Sequence, residues 1–112
     1  VISAKAAQEV NDMMVQVVEQ GSFGARVPGY TVAGKTGTAQ IPIAGGYSLT
    51  ETIHSFVGFM PAEAPVFVAL VKLDVPKAAP WADATAAPTF AKLANELLRI
   101  WHIPPPQVAQ KP

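Results

Sequence analysis

The sequence predicts an α/β domain of the α+β type, in which helices flank an antiparallel β-sheet. Apolar residues recur at helical spacing near both ends of the chain, and three segments rich in β-branched residues lie between them. The connection between the last two of these segments is too short for a crossover, so we expect an antiparallel hairpin. The 112 residues are enough for one ordinary domain.

The first predicted element is a helix over residues 4–20. Its apolar residues follow the i, i+3, i+4, i+7, i+8 spacing of a single buried stripe, made of Val10, Met13, Met14, Val17 and Val18. Ser3 can cap the start of this helix, and Gly21 lies just past its end, where glycine commonly stops a helix. A turn rich in glycine and proline follows over residues 21–29.

Three strands are predicted next. Residues 30–40 are rich in Thr and Val, although two glycines interrupt them, and a loop is expected over residues 41–51. Apolar and polar residues alternate over residues 52–60, as in a strand. Residues 66–73 are almost wholly apolar, which predicts a strand covered on both faces.

The last predicted element is a helix with Pro88 in its first turn, a position that suits proline. Its apolar stripe consists of Phe90, Leu93, Ala94, Leu97, Leu98 and Trp101. Residues 103–106 end the helix, and residues 107–112 are expected to form a flexible tail.

Three strands and two helices form an incomplete architecture. A strand covered on both faces requires a neighbour beyond those that this chain offers. The chain also begins with Val1 rather than with methionine, which suggests a piece of a longer polypeptide. We therefore expect residues 1–106 to be the C-terminal portion of a larger domain.

Composition and charge exclude several classes of function. The formal net charge is zero, which argues against a nucleic-acid binder and against a polybasic membrane-surface segment. Half of the residues are hydrophobic and 14% are charged, so extended disorder is excluded over most of the chain. The absence of cysteine excludes disulfides, thiolate metal sites and cysteine nucleophiles, and the two histidines have no ligand-like spacing. We therefore expect neither a metal nor a cofactor.

Residues 32–40, with the sequence VAGKTGTAQ, contain the groups best suited to chemistry. On a strand, the side chains of Thr36 and Thr38 project from the same face, roughly 6.6–6.8 Å apart, and two such hydroxyls can bind a carboxylate. Gly37 between them lets the backbone of an extended ligand approach. Lys35 supplies a positive charge that can hold an anionic terminus or take part in proton transfer. The segment therefore predicts a site for a peptide carboxylate along a strand edge.

These residues resemble a known family. Residues 28–40 resemble the conserved strand of class B penicillin-binding proteins over its whole length, including the Lys-Thr-Gly signature. Residues 55–62 resemble the next strand of that family, and residues 86–90 together with 102–105 resemble its C-terminal helix. The resemblance covers residues 4–106 and implies the fold of penicillin-recognising serine transferases and β-lactamases.

The resemblance implies a peptidoglycan D,D-transpeptidase that cross-links stem peptides and is acylated by β-lactams. Lys35 and Thr38 would be catalytic, Lys35 supporting proton relay and the Thr38 backbone N–H contributing to the oxyanion hole. Thr36, Gly37, Thr38 and Gln40 would bind substrate, the hydroxyls holding the terminal carboxylate of D-Ala-D-Ala or of the antibiotic. The implied location is the periplasmic side of the bacterial cell envelope, with an inner-membrane anchor outside this chain.

The nucleophile of that family lies in a Ser-x-x-Lys motif, and a Ser-x-Asn motif assists it. No serine of this chain is followed three residues later by lysine, and no Ser-x-Asn occurs; the serines are Ser3, Ser22, Ser48 and Ser55. We therefore expect the N-terminal remainder of the transpeptidase, cleaved from this chain or carried on a separate one, to supply the nucleophile.

Two alternatives of function stay open. The first is a serine β-lactamase or D,D-carboxypeptidase, because both share the Lys-Thr-Gly strand. The second is a non-catalytic β-lactam sensor or binding module. For Lys35, Thr36 and Thr38 themselves, the plain alternative is an exposed strand whose threonines simply suit β-structure.

Several further residues have no assigned chemical role. His54 and His102 are more readily explained as structural than as catalytic. A groove beside the strand could be rimmed by Tyr47, Thr50 and Glu51, although a plain turn explains these residues better. The loop over residues 74–85, which contains Trp81, could touch a substrate or a partner, and the sequence does not choose between these two roles.

Overall fold

The computed structural model describes residues 1–106, and the flexible tail expected over residues 107–112 lies outside them. The elements in chain order are α1 (Ala4–Gln20), β1 (Ala33–Ile43), β2 (Gly46–Met60), β3 (Phe67–Asp74) and α2 (Ala86–Ile100). The strands form one sheet in the order β1-β2-β3, and both pairings are antiparallel. This is the predicted order of helix, three strands and helix.

Helix α1 has the predicted ends. The Ala6 N–H donates to Ser3 Oγ over 3.1 Å, and the Gly21 N–H donates to Val17 O over 3.0 Å. The prediction that its whole apolar stripe is core is wrong in this chain, because only Val18 is buried and the Met13 side chain is 59% exposed. The reason is that α1 packs mainly against β1, which covers only part of the stripe.

The predicted loop over residues 41–51 is instead the end of a long β-hairpin. β1 and β2 continue to a tight turn next to Gly45, whose φ of 84° is readily adopted by glycine. Pro42 cannot donate to the sheet, and the register shifts between Gln40 and Pro42, as in a β-bulge. Proline and glycine in this stretch indicate a loop by composition, whereas a bulge on an edge strand accommodates the proline.

Helix α2 covers one face of the sheet, which we call the helix face. Its Phe90 packs on Phe56 of β2 with ring centroids 4.8 Å apart, and both side chains are fully buried. A Cβ on Gly34 of β1 would lie 2.3 Å from Phe56 Cζ, so the close approach of β1 to this core requires glycine. The helix face is therefore a closed core that fixes the position of β1.

The opposite face of the sheet, which we call the outer face, is open around β3. The register places Val57, Val68 and Leu70 there, and the side chains of Val68 and Leu70 are 69% and 65% exposed. The prediction that residues 66–73 are covered on both faces is therefore wrong in this chain. α2 lies only on the helix face, so alternate residues of β3 point to solvent.

Candidate functional site

β1 lies at the edge of the sheet, because β2 is its only partner strand among the described residues. The register pairs Thr36 with Phe56 and Thr38 with His54, so both threonines lie on the helix face, as the alternation of side chains along a strand predicts. An edge strand presents unpaired backbone groups with which an extended ligand can pair.

Lys35 lies beside Thr36 at this edge. Its Nζ donates to Thr36 O over 2.8 Å and lies 3.5 Å from Thr36 Oγ1. The side chain is exposed, and within residues 1–106 it forms no ion pair. The structure thus brings a positive charge and a hydroxyl together, and this charge is not neutralised by a carboxylate of the described chain.

The hydroxyl of Thr38 has a defined orientation. The Ala82 N–H donates to Thr38 Oγ1 over 3.2 Å, from the short 3₁₀ turn Ala82–Ala84. A threonine hydroxyl has one proton to donate and two lone pairs. With one lone pair occupied by Ala82, the proton of Thr38 remains available for an oxygen of a bound ligand.

Thr38 also lines an open groove of about 580 Å³, which we call the Thr38 groove. One wall consists of residues from the β1–β2 hairpin and the other of residues that follow β3; together they are Thr38, Gln40, Leu49, Thr50, Thr52, Pro76, Ala79, Pro80 and Trp81. The volume is suited to a small molecule or to a few residues of a peptide. Lys35, Thr36 and Gly37 do not line this groove, but they continue the β1 edge next to it.

The second wall of the groove is formed by the loop over residues 74–85, for which the sequence left contact with a substrate or with a partner open. The loop over residues 74–85 reaches back to β1, and its Trp81 side chain is 65% exposed in the groove. Val75 begins this loop with φ of 49°, a conformation that is unfavourable for a β-branched residue. Its N–H donates to Thr52 O over 3.0 Å, which holds the start of the loop against β2. In the sequence, this wall was indicated only by the prolines of the loop and by its one tryptophan, Trp81.

Residues 47–51, expected in a turn, belong to β2 instead. Thr50 lines the groove as expected, whereas Tyr47 and Glu51 do not. Leu49, which the sequence did not single out, lines it as well. Gly37 lies close to Ser55 of β2, because a Cβ added at Gly37 would lie 2.6 Å from Ser55 Oγ. The glycine of the Lys-Thr-Gly motif thus has a packing reason beside the approach of a ligand.

Both ring nitrogens of His54 are hydrogen-bonded, and its side chain is fully buried behind Thr38. His102 lies on the surface just after α2. Over residues 1–106, no group of three or more metal-ligating side chains comes together. The residues that line the Thr38 groove include no acidic side chain.

The family described as penicillin binding protein transpeptidase domain matches residues 1–95, which is most of the chain. The chain belongs to the penicillin-binding protein transpeptidase family. This confirms the resemblance to class B penicillin-binding proteins that residues 28–40 and the following segments indicated.

Individual relatives agree with this assignment. A probable peptidoglycan D,D-transpeptidase PbpC of Pseudomonas aeruginosa is 38% identical over 109 residues, which cover 95% of this chain and 19% of that protein. The stage V sporulation protein D of Bacillus subtilis is 37% identical over 100 residues, which cover 88% of this chain and 16% of that protein.

Solved transpeptidase structures share the fold. The transpeptidase domain of penicillin-binding protein 3 from Burkholderia pseudomallei superimposes with a TM-score of 0.86 at 34% identity, over 96% of this chain and 33% of that one. Penicillin-binding protein 3 from Mycobacterium tuberculosis, complexed with ampicillin, superimposes with a TM-score of 0.81, over 99% of this chain and 27% of that one. The predicted fold is confirmed, and the chain spans a third or less of the length of each of these relatives. None of the helices in the described part meets the length and apolarity needed to cross a membrane.

Proposed function

We propose that residues 1–106 are the C-terminal portion of a peptidoglycan D,D-transpeptidase domain and supply its substrate-binding strand. The single observation that carries this function is the β1 edge. There the Thr36 and Thr38 hydroxyls lie on one face, the Lys35 ammonium lies 2.8 Å from Thr36 O, and an open groove adjoins Thr38. Hydroxyls and an ammonium on an unpaired strand edge suit an extended peptide that ends in a carboxylate.

Each residue then has a stated role. Thr36 and Thr38 donate hydrogen bonds to the terminal carboxylate of D-Ala-D-Ala or of a β-lactam, and Lys35 adds a charge that favours this anion and supports proton relay. The backbone N–H of Thr38 is one donor to the oxyanion that forms on the attacked carbonyl. Gly37 and Gln40 complete the substrate-binding edge on either side of Thr38.

The nucleophilic serine of this proposal lies on the remainder of the transpeptidase, as part of the same polypeptide or of a partner chain. The exposed apolar side chains Val57, Val68 and Leu70 on the outer face are a surface on which that remainder can pack. We place the complete enzyme on the periplasmic side of the bacterial cell envelope, with its membrane anchor outside this chain.

The test is covalent labelling of the complete protein with a fluorescent penicillin, followed by mapping of the labelled peptide. We expect a stable adduct on a serine outside residues 1–106. Thr38→Val removes the hydroxyl but keeps the shape, and it should slow acylation at least about tenfold, which corresponds to about 1.4 kcal/mol of transition-state binding. Thr31→Val is the matched control, because Thr31 precedes β1 and does not line the groove.

The outcomes separate the functions. No labelling, or an unchanged acylation rate in Thr38→Val, would contradict the proposal. Rapid loss of the label by hydrolysis would assign a β-lactamase instead. A stable label without any cross-linking of D-Ala-D-Ala peptides would assign a sensor.

A further inference from the structure

His54 lies directly behind Thr38. The two residues are cross-strand partners in the β1–β2 ladder, so their side chains share the helix face of the sheet. The His54 side chain is fully buried, whereas Thr38 is exposed at the groove. A buried imidazole thus lies beside Thr38 on the same face of the sheet.

Both ring nitrogens of His54 contact threonine hydroxyls. His54 Nδ1 lies 2.6 Å from Thr85 Oγ1, and Nε2 lies 3.0 Å from Thr52 Oγ1. Thr85 Oγ1 also lies 3.4 Å from Trp81 O, a longer contact than the one with the ring. Each nitrogen of the buried imidazole therefore has a hydrogen-bond partner.

The Thr85 side chain contacts His54 instead of capping helix α2. It occupies the N-cap position of α2, where a threonine hydroxyl normally accepts a hydrogen bond from the first turn of the helix. Here its side chain makes no cap hydrogen bond and contacts His54 and Trp81 O instead. The hydroxyl holds the 81–85 segment against the sheet rather than the end of the helix.

The same segment orients Thr38. The turn Ala82–Ala84 lies between Trp81 and Thr85, and its first residue, Ala82, donates to Thr38 Oγ1 over 3.2 Å. Two side-chain contacts therefore tie this turn to the sheet, one from Thr38 at the groove and one from His54 in the core. The turn is also held from outside the sheet, because Ser22 Oγ donates to Asp83 Oδ1 over 2.8 Å and Ala82 is buried in the core. On the sheet side, the hydrogen bonds to this segment are those of Thr38 and His54.

We propose that His54 is a positioning residue that, through Thr85, holds the Ala82 N–H against Thr38 and so directs the Thr38 hydroxyl proton toward the ligand carboxylate. His54 itself touches no ligand, and this role rests on the proposed transpeptidase function.

Two amide substitutions separate the two contacts of His54. In His54→Asn the amide nitrogen can take the place of Nδ1, which keeps the contact with Thr85. In His54→Gln the amide reaches the place of Nε2, which keeps only the contact with Thr52. In the complete transpeptidase, we expect His54→Asn to acylate with a β-lactam within about twofold of the native rate, and His54→Gln to be about fivefold slower. Equal rates for the two variants would overturn the proposal.

A double-variant cycle tests whether His54 acts through Thr38. Thr85→Val removes the relay hydroxyl and should slow acylation about as much as His54→Gln. If the relay works only through the Thr38 hydroxyl, Thr38→Val combined with Thr85→Val should be no slower than Thr38→Val alone, to within about twofold. Effects that multiply would show a general structural role and would overturn the proposal.

The controls keep the outcomes distinct. His102→Asn, on the surface after α2, should leave the acylation rate unchanged, and circular dichroism of each variant checks that the fold is retained. If Thr38→Val itself has no effect on acylation, the proposed function fails. If Thr38→Val is slow while His54→Gln and Thr85→Val acylate at the native rate, only the role of His54 fails.

Discussion

The two faces of the sheet differ in how completely this chain covers them. On the helix face, Phe56 and Phe90 are fully buried, and the polar side chain of His54 among them has both ring nitrogens hydrogen-bonded. On the outer face, Val68 and Leu70 are more than half exposed. The helix face is thus a finished core, whereas the outer face is an apolar surface without a cover among the described residues.

This difference explains how a short segment can contain an organised site. The orientation of Thr36 and Thr38 depends on the helix face, where α2 and the loop over residues 74–85 are both present. The outer face is the place where, in the proposal above, the serine-bearing remainder packs. The β1 edge is therefore organised by residues of this chain, while in the proposal above catalysis requires another part of the protein.

The largest effect is expected on the helix face. Phe90→Ala removes an aromatic ring packed 4.8 Å from the ring of Phe56 and leaves a cavity in the core. We expect the free energy of unfolding of the complete domain to fall by about 3–5 kcal/mol, measured by urea denaturation. Phe23→Ala is the matched control, because Phe23 is 56% exposed and should lose less than about 1 kcal/mol. Equal losses would show that the helix face is not the core.

A charge on the outer face tests whether that face is covered in the complete protein. Leu70→Lys should lower the free energy of unfolding of the complete domain by about 2 kcal/mol, because an ammonium would be placed in an apolar interface. The control is Leu93→Lys, at a 43% exposed position on α2, which should lower the free energy of unfolding by less. If Leu70→Lys lowers the free energy of unfolding less than Leu93→Lys does, the outer face is not covered in the complete protein.

The smallest effect concerns Gly37, whose Cα faces Ser55 across the ladder. An added Cβ would lie 2.6 Å from Ser55 Oγ, so Gly37→Ala should lower the free energy of unfolding by about 1 kcal/mol. Ser55→Ala in the same protein removes the crowding oxygen and should restore most of this loss. A loss that persists in the double variant would rule out crowding by Ser55 as its cause.

The parts of the fold that depend on neighbouring residues could be predicted from the sequence. The ends of α1 follow from Ser3 and Gly21, and the facing of Thr36 and Thr38 follows from strand alternation. The length of the β1–β2 hairpin could not be predicted, because Pro42 indicates a loop whereas a bulge in the register keeps it in an edge strand.

The parts of the site that depend on distant residues could be named from the sequence only as candidates and could not be placed. Trp81 lies 43 residues after Thr38 in the sequence, and no local pattern indicates that its loop closes the groove. The partner of His54 is Thr85, 31 residues further along the chain, and its hydroxyl would be expected to cap α2. The exposure of Leu70 escaped prediction for a different reason: an apolar strand indicates burial without showing which chain provides the cover.

The most direct test of the account compares acylation of the complete protein by a penicillin and by its methyl ester. The ester lacks the carboxylate that Thr36 and Thr38 are proposed to bind. In the native protein we expect the ester to react at least about tenfold more slowly, and in Thr36→Val/Thr38→Val this difference should shrink to about twofold or less. A difference of the same size in both proteins would contradict the account, because the carboxylate would then be recognised elsewhere.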